Sequence, residues 1–311
     1  MHMSLVSIII VNYRTPDLTI RCIDSVYATT KTPFEIIVVD NASGDNSQEK
    51  ICTKFGDVVW IQNERNEGFG RANNIGVANT KSDYVLLLNS DMVVADGTID
   101  HCIETIRSDA QIGALGCKLL NEDGSLQNSV YYDVVSYKSL LAQNVLFVKL
   151  FRLNITKEKI VAIMGSFMLM PKELYNEVGG FDPDFFMYFE EVDLCRRLVE
   201  KGYYINYDSN VFAYHKHGAS SSNSKKRVRQ LYASQMLMVF KSKGFLGYVL
   251  YNALFIINIG TNSVVSVFRK QYRTEARNVF RAFICNFMVN LLIPVMFGRK
   301  IGNGKRMLKI N

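Results

Sequence analysis

The sequence predicts an α/β protein built on a mostly parallel sheet with helices on both faces. Three observations carry this. From Ser4 to Asp91, short aliphatic and β-branched runs alternate with stretches of helical periodicity, a β-α-β-α-β rhythm. The runs are apolar throughout, as strands covered on both faces must be. Three of them stop at a polar residue: Val11 at Asn12, Val39 at Asp40, and Leu88 at Asn89-Ser90-Asp91.

Taken in order, Ser4–Val11 reads as a buried strand and Asp17–Tyr27 as a helix. That helix has Asp17 near its cap and Leu18, Cys22, Ile23 and Val26 on one face. Glu35–Val39 is the second strand. The turn Asn41–Asn46 opens a helix near Ser47–Phe55, and Val58–Ile61 is the third strand. Asn66–Asn79 is Gly/Asn-rich and then helical, and Tyr84–Leu88 is the fourth strand. Residues 110–170 are less regular. Gly165–Met170 reads as a strand, Pro171 opens a short helix through Val178, and Gly179–Pro183 is a turn. A helix over Phe189–Lys201 and strands at Tyr203–Tyr207 and Val211–Tyr214 come next. The polar stretch Ser220–Ser224, running into Lys225-Lys226-Arg227, places a domain boundary, giving domains 1–224 and 225–311.

Composition narrows the class. The chain has 311 residues, 48% of them hydrophobic, enough for one large domain with an appendage. Its net charge of +7 suits an anionic partner. The basic residues concentrate in the C-terminal third, away from the acidic strand ends, which argues against nucleic acid. Six scattered cysteines without a CxxC pair argue against disulfides and zinc and for a reducing compartment. Residues 4–12 are too short and lack the basic leader of a signal peptide, so none is expected.

The strand ends are where ligands bind in such sheets, beyond the carboxyl edge. Parallel pairing makes Asn12, Asp40 and Asp91 neighbours there. Asp91 reads either as the cap of a following helix or as a hard oxygen ligand for Mg²⁺ or Mn²⁺. The segment Asn66-Glu67-Gly68-Phe69-Gly70-Arg71-Ala72-Asn73-Asn74 can bring backbone N–H groups to a phosphate or ribose. His215 and His217 are two of only four histidines and come after a strand. Projected at 100° per residue, Val192, Leu194, Cys195, Leu198 and Val199 form an apolar stripe with Glu191 in it. Glu190, Asp193, Arg196, Arg197 and Glu200 fall on the other side. An inward Glu191 beside other acids is a candidate general base with a raised pKa.

Five ordered segments together resemble family 2 glycosyltransferases of the GT-A fold. They are VSIIIVNY from Val6, IVVDNAS from Ile37, NEGFGRANNIG from Asn66, LLLNSD from Leu86, and GGFDPDFFMYFEEVDLCRR from Gly179 followed by HKHGAS from His215. Within that family the set is similar to the rhamnosyltransferase-like branch of bacterial surface-polysaccharide synthesis. The resemblance implies a GT-A type, Rossmann-like catalytic domain. It implies an inverting transfer from a dTDP, UDP or GDP sugar to a glycan, lipid-linked acceptor. Asn12 and Asp40 would contact the nucleoside. Asn66, Gly68 and Asn73 would line the donor loop. Asn89-Ser90-Asp91 stands in the DxD position, so Asp91 would hold Mg²⁺ or Mn²⁺, with His215 as the other protein ligand. Glu191 stands where the family has the Asp of a Glu-Asp pair and would be the base. Asp182 and Glu190 would shape the sugar and acceptor pocket. The base position being Glu moves the carboxylate out by about 1.5 Å, which leaves Glu190 and Asp193 open as the base. A non-catalytic sugar-nucleotide-binding protein of this fold and a nucleotidyltransferase are the competing readings. The second lacks its usual basic, Gly-rich signature after Val11.

The C-terminal third holds two stretches without formal charge, Phe245–Phe268 of 24 residues and Ala282–Phe297 of 16. Lys and Arg flank both, and a hairpin would force the basic middle loop outside. The reading that satisfies this is a helical, membrane-associating extension lying on the inner face of the cytoplasmic membrane. The alternative is a helical subdomain packed on the catalytic domain or on a second copy in a homodimer.

Overall fold

The computed structural model describes residues 6–142, 159–216, 224–268, 284, 291–297 and 307–309. The chain divides into two compact units. The first is Met1–Tyr131, Ile160–Asp182 and Glu190–Ser222; the second is Tyr132–Lys159, Pro183–Phe189 and Asn223–Asn311. Two segments from the first 224 residues, 132–159 and 183–189, thus belong to the second unit.

The first unit starts with β1 (Val6–Asn12), α1 (Pro16–Thr29), β2 (Phe34–Asp40), α2 (Ser47–Lys54), β3 (Val59–Gln62), α3 (Phe69–Ala78) and β4 (Tyr84–Asn89). It continues with β5 (Met92–Val94), α4 (Thr98–Ser108), β6 (Ile112–Leu120), β7 (Leu126–Gln127) and β8 (Val130–Tyr131). The second unit contributes α5 (Tyr137–Ala142). The first unit then resumes with β9 (Ala162–Ile163), β10 (Phe167–Pro171), α6 (Lys172–Glu177), α7 (Glu190–Glu200) and β11 (Tyr204–His215), before α8 (Ser224–Phe268) of the second.

Among the described residues nine strands form one sheet in the order β3-β2-β1-β4-β10-β6-β11-β5, with β7 beside β6; β8 and β9 pair separately. By their pairings, β1, β2, β3, β4, β6 and β11 run one way and β5, β7 and β10 the other. The sheet is therefore mixed, with its parallel half first in sequence. The order reverses at β1: β2 lies on one side and β4 on the other, which opens a crevice at their carboxyl ends.

The run SIIIV makes β1 the centre of the core. Ile8, Ile9 and Ile10 are fully buried, each stabilising the fold by about 1.5–3 kcal/mol relative to exposure. Ile8 and Ile10 join Cys22, Ile23 and Val26 of α1. Ile9 meets α3, where a Cβ on Gly76 would lie 2.4 Å from its Cγ2. Only glycine permits that approach, and it seats the last turns of α3 directly on β1.

Several elements differ from the sequence reading. β5, α4, β6, β7, β8, α5 and β9 were not expected. Tyr203–Tyr207 and Val211–Tyr214 are one strand, β11, with its register shifted between Asp208 and Phe212.

In the second unit α8 is broken at Gly244 (φ 69°). Beyond the break one face is buried through Tyr248, Tyr251, Phe255 and Ile259, and the opposite face exposes Phe245, Leu246, Val249, Leu250, Ile256 and Ile257. Asn258 Nδ2 donates to Leu140 O at 3.0 Å and Tyr137 OH to Gly247 O at 3.0 Å, which ties α5 to α8. Among the described residues one helical stretch, Lys226–Asn262, is long and apolar enough to cross a membrane, an 18-residue window within it having a mean hydropathy of 1.4. Half of the second uncharged stretch and its basic flanks lie outside the described residues, as do His217–Ser220 and Cys285. The five described cysteines are free.

Candidate active site

Parallel register sets the first cluster. Asn12 stands opposite Asp40, and Val11 opposite Asn89, at one sheet edge. Asn12, fully buried, donates from Nδ2 to Asp40 Oδ1 at 2.7 Å and to Ser43 Oγ at 3.2 Å. Asp40 also accepts from Ser43 N (2.9 Å), Ser43 Oγ (2.5 Å) and Gln62 Nε2 (2.8 Å). Both carboxylate oxygens are thus engaged by charge-assisted bonds that shape the edge. The loops after β1 and β2 are strained there: Arg14 (φ 58°) and Ala42 (φ 60°) are non-glycine residues in the left-handed region.

Asn41 links this edge to the Gly/Asn loop. Its Nδ2 donates to Asn66 Oδ1 (3.2 Å) and Gly68 O (3.0 Å), and its Oδ1 accepts from Glu67 N (2.9 Å). Gly68, at φ 81°, is the residue before the first turn of α3. Asn73 stands apart from this set. It is buried within α3, and its Nδ2 donates to Phe69 O at 3.0 Å.

Asp91 does not cap a helix. The chain turns after Asn89 into the short strand β5, which pairs antiparallel with β11 and sets Met92 opposite His215. This brings His215 Nε2 to 3.3 Å from Asp91 Oδ1, both side chains buried. Gln127 Oε1 lies 2.6 Å from His215 Nδ1. An amide oxygen accepts only, so it holds the proton on Nδ1 and turns Nε2 toward Asp91. An imidazole oriented in this way offers Nε2 as a ligand atom. Among the described residues no third His, Cys, Asp or Glu completes a cluster. Mg²⁺ and Mn²⁺, which keep diphosphate and water oxygens as ligands, fit such a two-residue set. Asp91 also borders an open cavity of about 260 Å³ walled by Leu18, Arg21, Met92, Val93, Glu122, Tyr214 and Lys216. Burial, and then the charge of Asp91, push the Cys22 thiol pKa up; its Sγ donates to Asn89 O at 3.5 Å.

The two clusters are joined. Thr15 Oγ1 lies 3.3 Å from Asn12 Oδ1 and 3.2 Å from Ser90 Oγ, so hydroxyls bridge the Asn12–Asp40 pair to the residue beside Asp91.

The acids of α7 depart from the helical projection. Residues 190–195 are all buried, including Glu190 and Asp193, because α7 packs on β6, β9 and β11 rather than on one surface. Asp193 is bound by Arg196 Nη2 (2.9 Å) and Arg197 Nε (2.8 Å), and Arg197 also donates to Gly180 O at 2.8 Å. Glu191 Oε1 accepts from Tyr131 OH at 3.5 Å. Burial, then the charges of Glu191 and Glu190, raise the Tyr131 pKa, so it stays a donor. Glu190 lies against the first turn of α3: a Cβ on Gly70 would sit 3.6 Å from its Cβ. Asp182 is buried at the end of the Gly179-Gly180-Phe181 turn. Asn74 fixes that turn, donating to Phe181 O (2.8 Å) and accepting from Phe181 N (2.9 Å). Asn41, Ser43, Gln62, Asn74, Gln127 and Tyr131 support the site; the sequence reading named Asn74 only within the Gly/Asn segment and gave none of the six a side-chain role.

The sequence model of the family described as "Glycosyl transferase family 2" matches residues 7–179, more than half of the chain. The chain belongs to this family. Two curated relatives extend the comparison. The N-acetylglucosaminyl-diphospho-decaprenol L-rhamnosyltransferase of Mycobacterium tuberculosis is 26% identical over 208 residues, covering 59% of this chain. The match spans 66% of that relative's length. Rhamnosyltransferase WbbL of Escherichia coli K12 is 30% identical over 229 residues, 68% of this chain and 83% of WbbL. Among solved structures, mannosyltransferase PcManGT of Pyrobaculum calidifontis, in complex with GDP-Man and Mn²⁺, superposes with a TM-score of 0.59 at 14% identity, covering 92% of this chain and 88% of that one. GalNAc-T7 with UDP, GalNAc and Mn²⁺ gives 0.56 at 17% identity, over 92% of this chain and 57% of its own. These likenesses show the GT-A fold.

Proposed function

We propose that this family 2 member is a metal-dependent, inverting glycosyltransferase of cell-surface polysaccharide synthesis. It moves a sugar from a nucleoside diphosphate to a hydroxyl of a lipid-linked glycan. The observation that carries the metal-dependent reading is the buried Asp91–His215 pair with Gln127 behind it. Rhamnose is the favoured sugar, since both curated relatives are rhamnosyltransferases, and dTDP, UDP and GDP are the carriers to test.

In this reading Asn12, Asp40, Asn66 and Gly68 hold the nucleoside and ribose, and Asn89 and Asp91 face the diphosphate. Asn73 supports α3 from within. A divalent ion on Asp91 and His215 supplies, when bound, positive charge against the departing diphosphate. Glu191 takes the proton of the acceptor hydroxyl as its oxygen bonds to the anomeric carbon and the bond to the diphosphate breaks. Asp193 is set aside as the base because two guanidiniums engage both its oxygens. Asp182 and Glu190 wall the sugar and acceptor pocket.

The exposed apolar face of α8 lies in the cytoplasmic leaflet, and the basic sequence around the uncharged stretch suits anionic headgroups. That placement brings the enzyme to a lipid-linked acceptor, the kind of acceptor that the name of the mycobacterial relative specifies for that protein.

The test is binding and turnover across a panel of sugar nucleotides, with and without Mn²⁺ or Mg²⁺. Asp91→Ala should abolish metal-dependent binding. Glu191→Gln should keep binding and lose turnover. A protein that binds no sugar nucleotide refutes the reading; equal turnover by Glu191→Gln refutes the choice of base.

A further inference from the structure

The segment Pro183–Phe189 belongs to the second unit yet runs directly into Glu190 and Glu191. Four ties within that unit converge on it. Lys241 Nζ meets Asp184 Oδ2 at 2.7 Å, with both side chains almost fully buried. Leu308 N donates to Asp184 O at 2.8 Å, and Leu308 bridges Phe185 in parallel. Ser234 Oγ donates to Met187 O at 2.8 Å. Lys309 Nζ lies 4.7 Å from the ring centre of Phe186. Gln230 Nε2, donating to Leu308 O at 2.7 Å, fastens the segment Met307–Lys309 to α8 and closes the set.

The two residues after Met187 give these ties a purpose. Tyr188 (φ 70°) and Phe189 (φ 69°) are consecutive non-glycine residues in the left-handed region. Bulky residues adopt it rarely, and such a conformation persists only where the surroundings over-determine it. The next residue begins α7 with the two acids. A buried lysine–carboxylate pair is a weak source of stability but a strong constraint on geometry.

We infer that Lys241, Ser234 and the C-terminal segment Met307–Lys309 form a clamp that holds the Tyr188-Phe189 turn and thereby aims Glu190 and Glu191. They are positioning residues for the transfer step. The ties above end on the 183–189 segment and on one another, so the clamp governs turnover and leaves donor affinity alone. The kinetic half of this inference rests on the transferase reading; the structural half does not.

The experiment uses the full-length protein as wild type, Lys241→Met, Lys241→Arg and Ser234→Ala. Amide hydrogen exchange in the absence of any ligand reads the clamp itself. Exchange over 183–191 should rise in Lys241→Met and Ser234→Ala and stay near wild type in Lys241→Arg. Turnover is read as nucleoside diphosphate release with Mn²⁺, using dTDP-rhamnose first and then the rest of the panel. Misplacing a catalytic group by about 1 Å costs about a hundredfold, so kcat should fall by between about tenfold and about a hundredfold at a donor KM changed by less than about twofold. Lys241→Arg should recover most of it. Ser234→Ala removes only a hydroxyl, so it keeps the test alive if Lys241→Met fails to fold. Unchanged exchange in folded variants overturns the clamp. Raised exchange with unchanged kcat, or kcat and donor KM moving together, overturns its role in transfer. A wild type that binds no sugar nucleotide overturns the functional reading instead, and the exchange result then decides the clamp.

Discussion

Asn12→Asp tests what the strand-end cluster is made of. The substitution is isosteric, so packing is kept, but the group that faces Asp40 Oδ1 at 2.7 Å becomes a carboxylate oxygen. At an effective dielectric near 20, two unit charges at 2.7 Å repel by about 6 kcal/mol. Holding a proton at pH 7 on a carboxyl of ordinary pKa near 3.9 costs about 4 kcal/mol. The second is smaller, so the folded pair takes up one proton and the penalty is capped at about 4 kcal/mol. The folded state then binds a proton that the unfolded chain releases, so stability falls as pH rises. The penalty therefore shrinks by about 1.4 kcal/mol per unit on acidification, to about 2 kcal/mol at pH 5.5. Asn12→Ala deletes the same hydrogen bonds without adding charge, and its penalty should be flat between the two pH values. Urea unfolding of wild type and both variants at pH 7 and 5.5 reads this directly. A penalty for Asn12→Asp below about 1 kcal/mol at pH 7, or one equal at both pH values, refutes the buried-pair argument.

The geometry sets three further outcomes. Asp193→Ala leaves Arg196 and Arg197 without the carboxylate that binds both, and should lower unfolding free energy by about 3–5 kcal/mol. Gln127→Leu removes the partner that orients His215; calorimetry in the presence of nucleoside diphosphate should find Mn²⁺ affinity weakened by about 10–100-fold. Leu246, the most exposed apolar residue of the α8 face, should matter at a lipid surface. Leu246→Ser should lower sedimentation with phosphatidylglycerol vesicles by about tenfold in partition coefficient. If vesicles are not bound and the protein sediments as a dimer, that face belongs to a second copy.

The parallel half of the fold was legible because its strands, covered on both faces, are unbroken apolar runs. β6 is equally buried but carries Gly113 and Gly116, which break the aliphatic pattern. A Cβ at Gly113 would lie 2.9 Å from that of Tyr203, and one at Gly116 would lie 3.2 Å from Ile163 Cδ1. Those glycines answer to neighbours distant in sequence, so the run does not announce itself. β11 read as two strands because Asp208-Ser209-Asn210 carry turn chemistry; they sit where its register shifts. The α7 projection failed for a different reason. It assumes one buried side, and a helix with neighbours on several sides buries its acids as well. Asp193 then depends on arginines three and four residues on.

Asp91 and His215 are 124 positions apart, and what joins them is the three-residue strand β5, too short to carry a period. Thr15 offers a subtler signal. It is the residue before the first turn of α1, where a threonine hydroxyl ordinarily caps the helix. Its Oγ1 makes no cap; it reaches Asn12 Oδ1 and Ser90 Oγ instead. The helix forgoes roughly 1 kcal/mol of capping and still holds through Pro16 at its first position and the burial of Cys22, Ile23 and Val26. A local rule broken without local compensation marks a residue answering to something larger. Here that is the hydroxyl bridge between the end of β1 and the turn carrying Asp91, which makes the Asn12–Asp40 edge and the Asp91–His215 pair one connected surface at the reversal of the sheet.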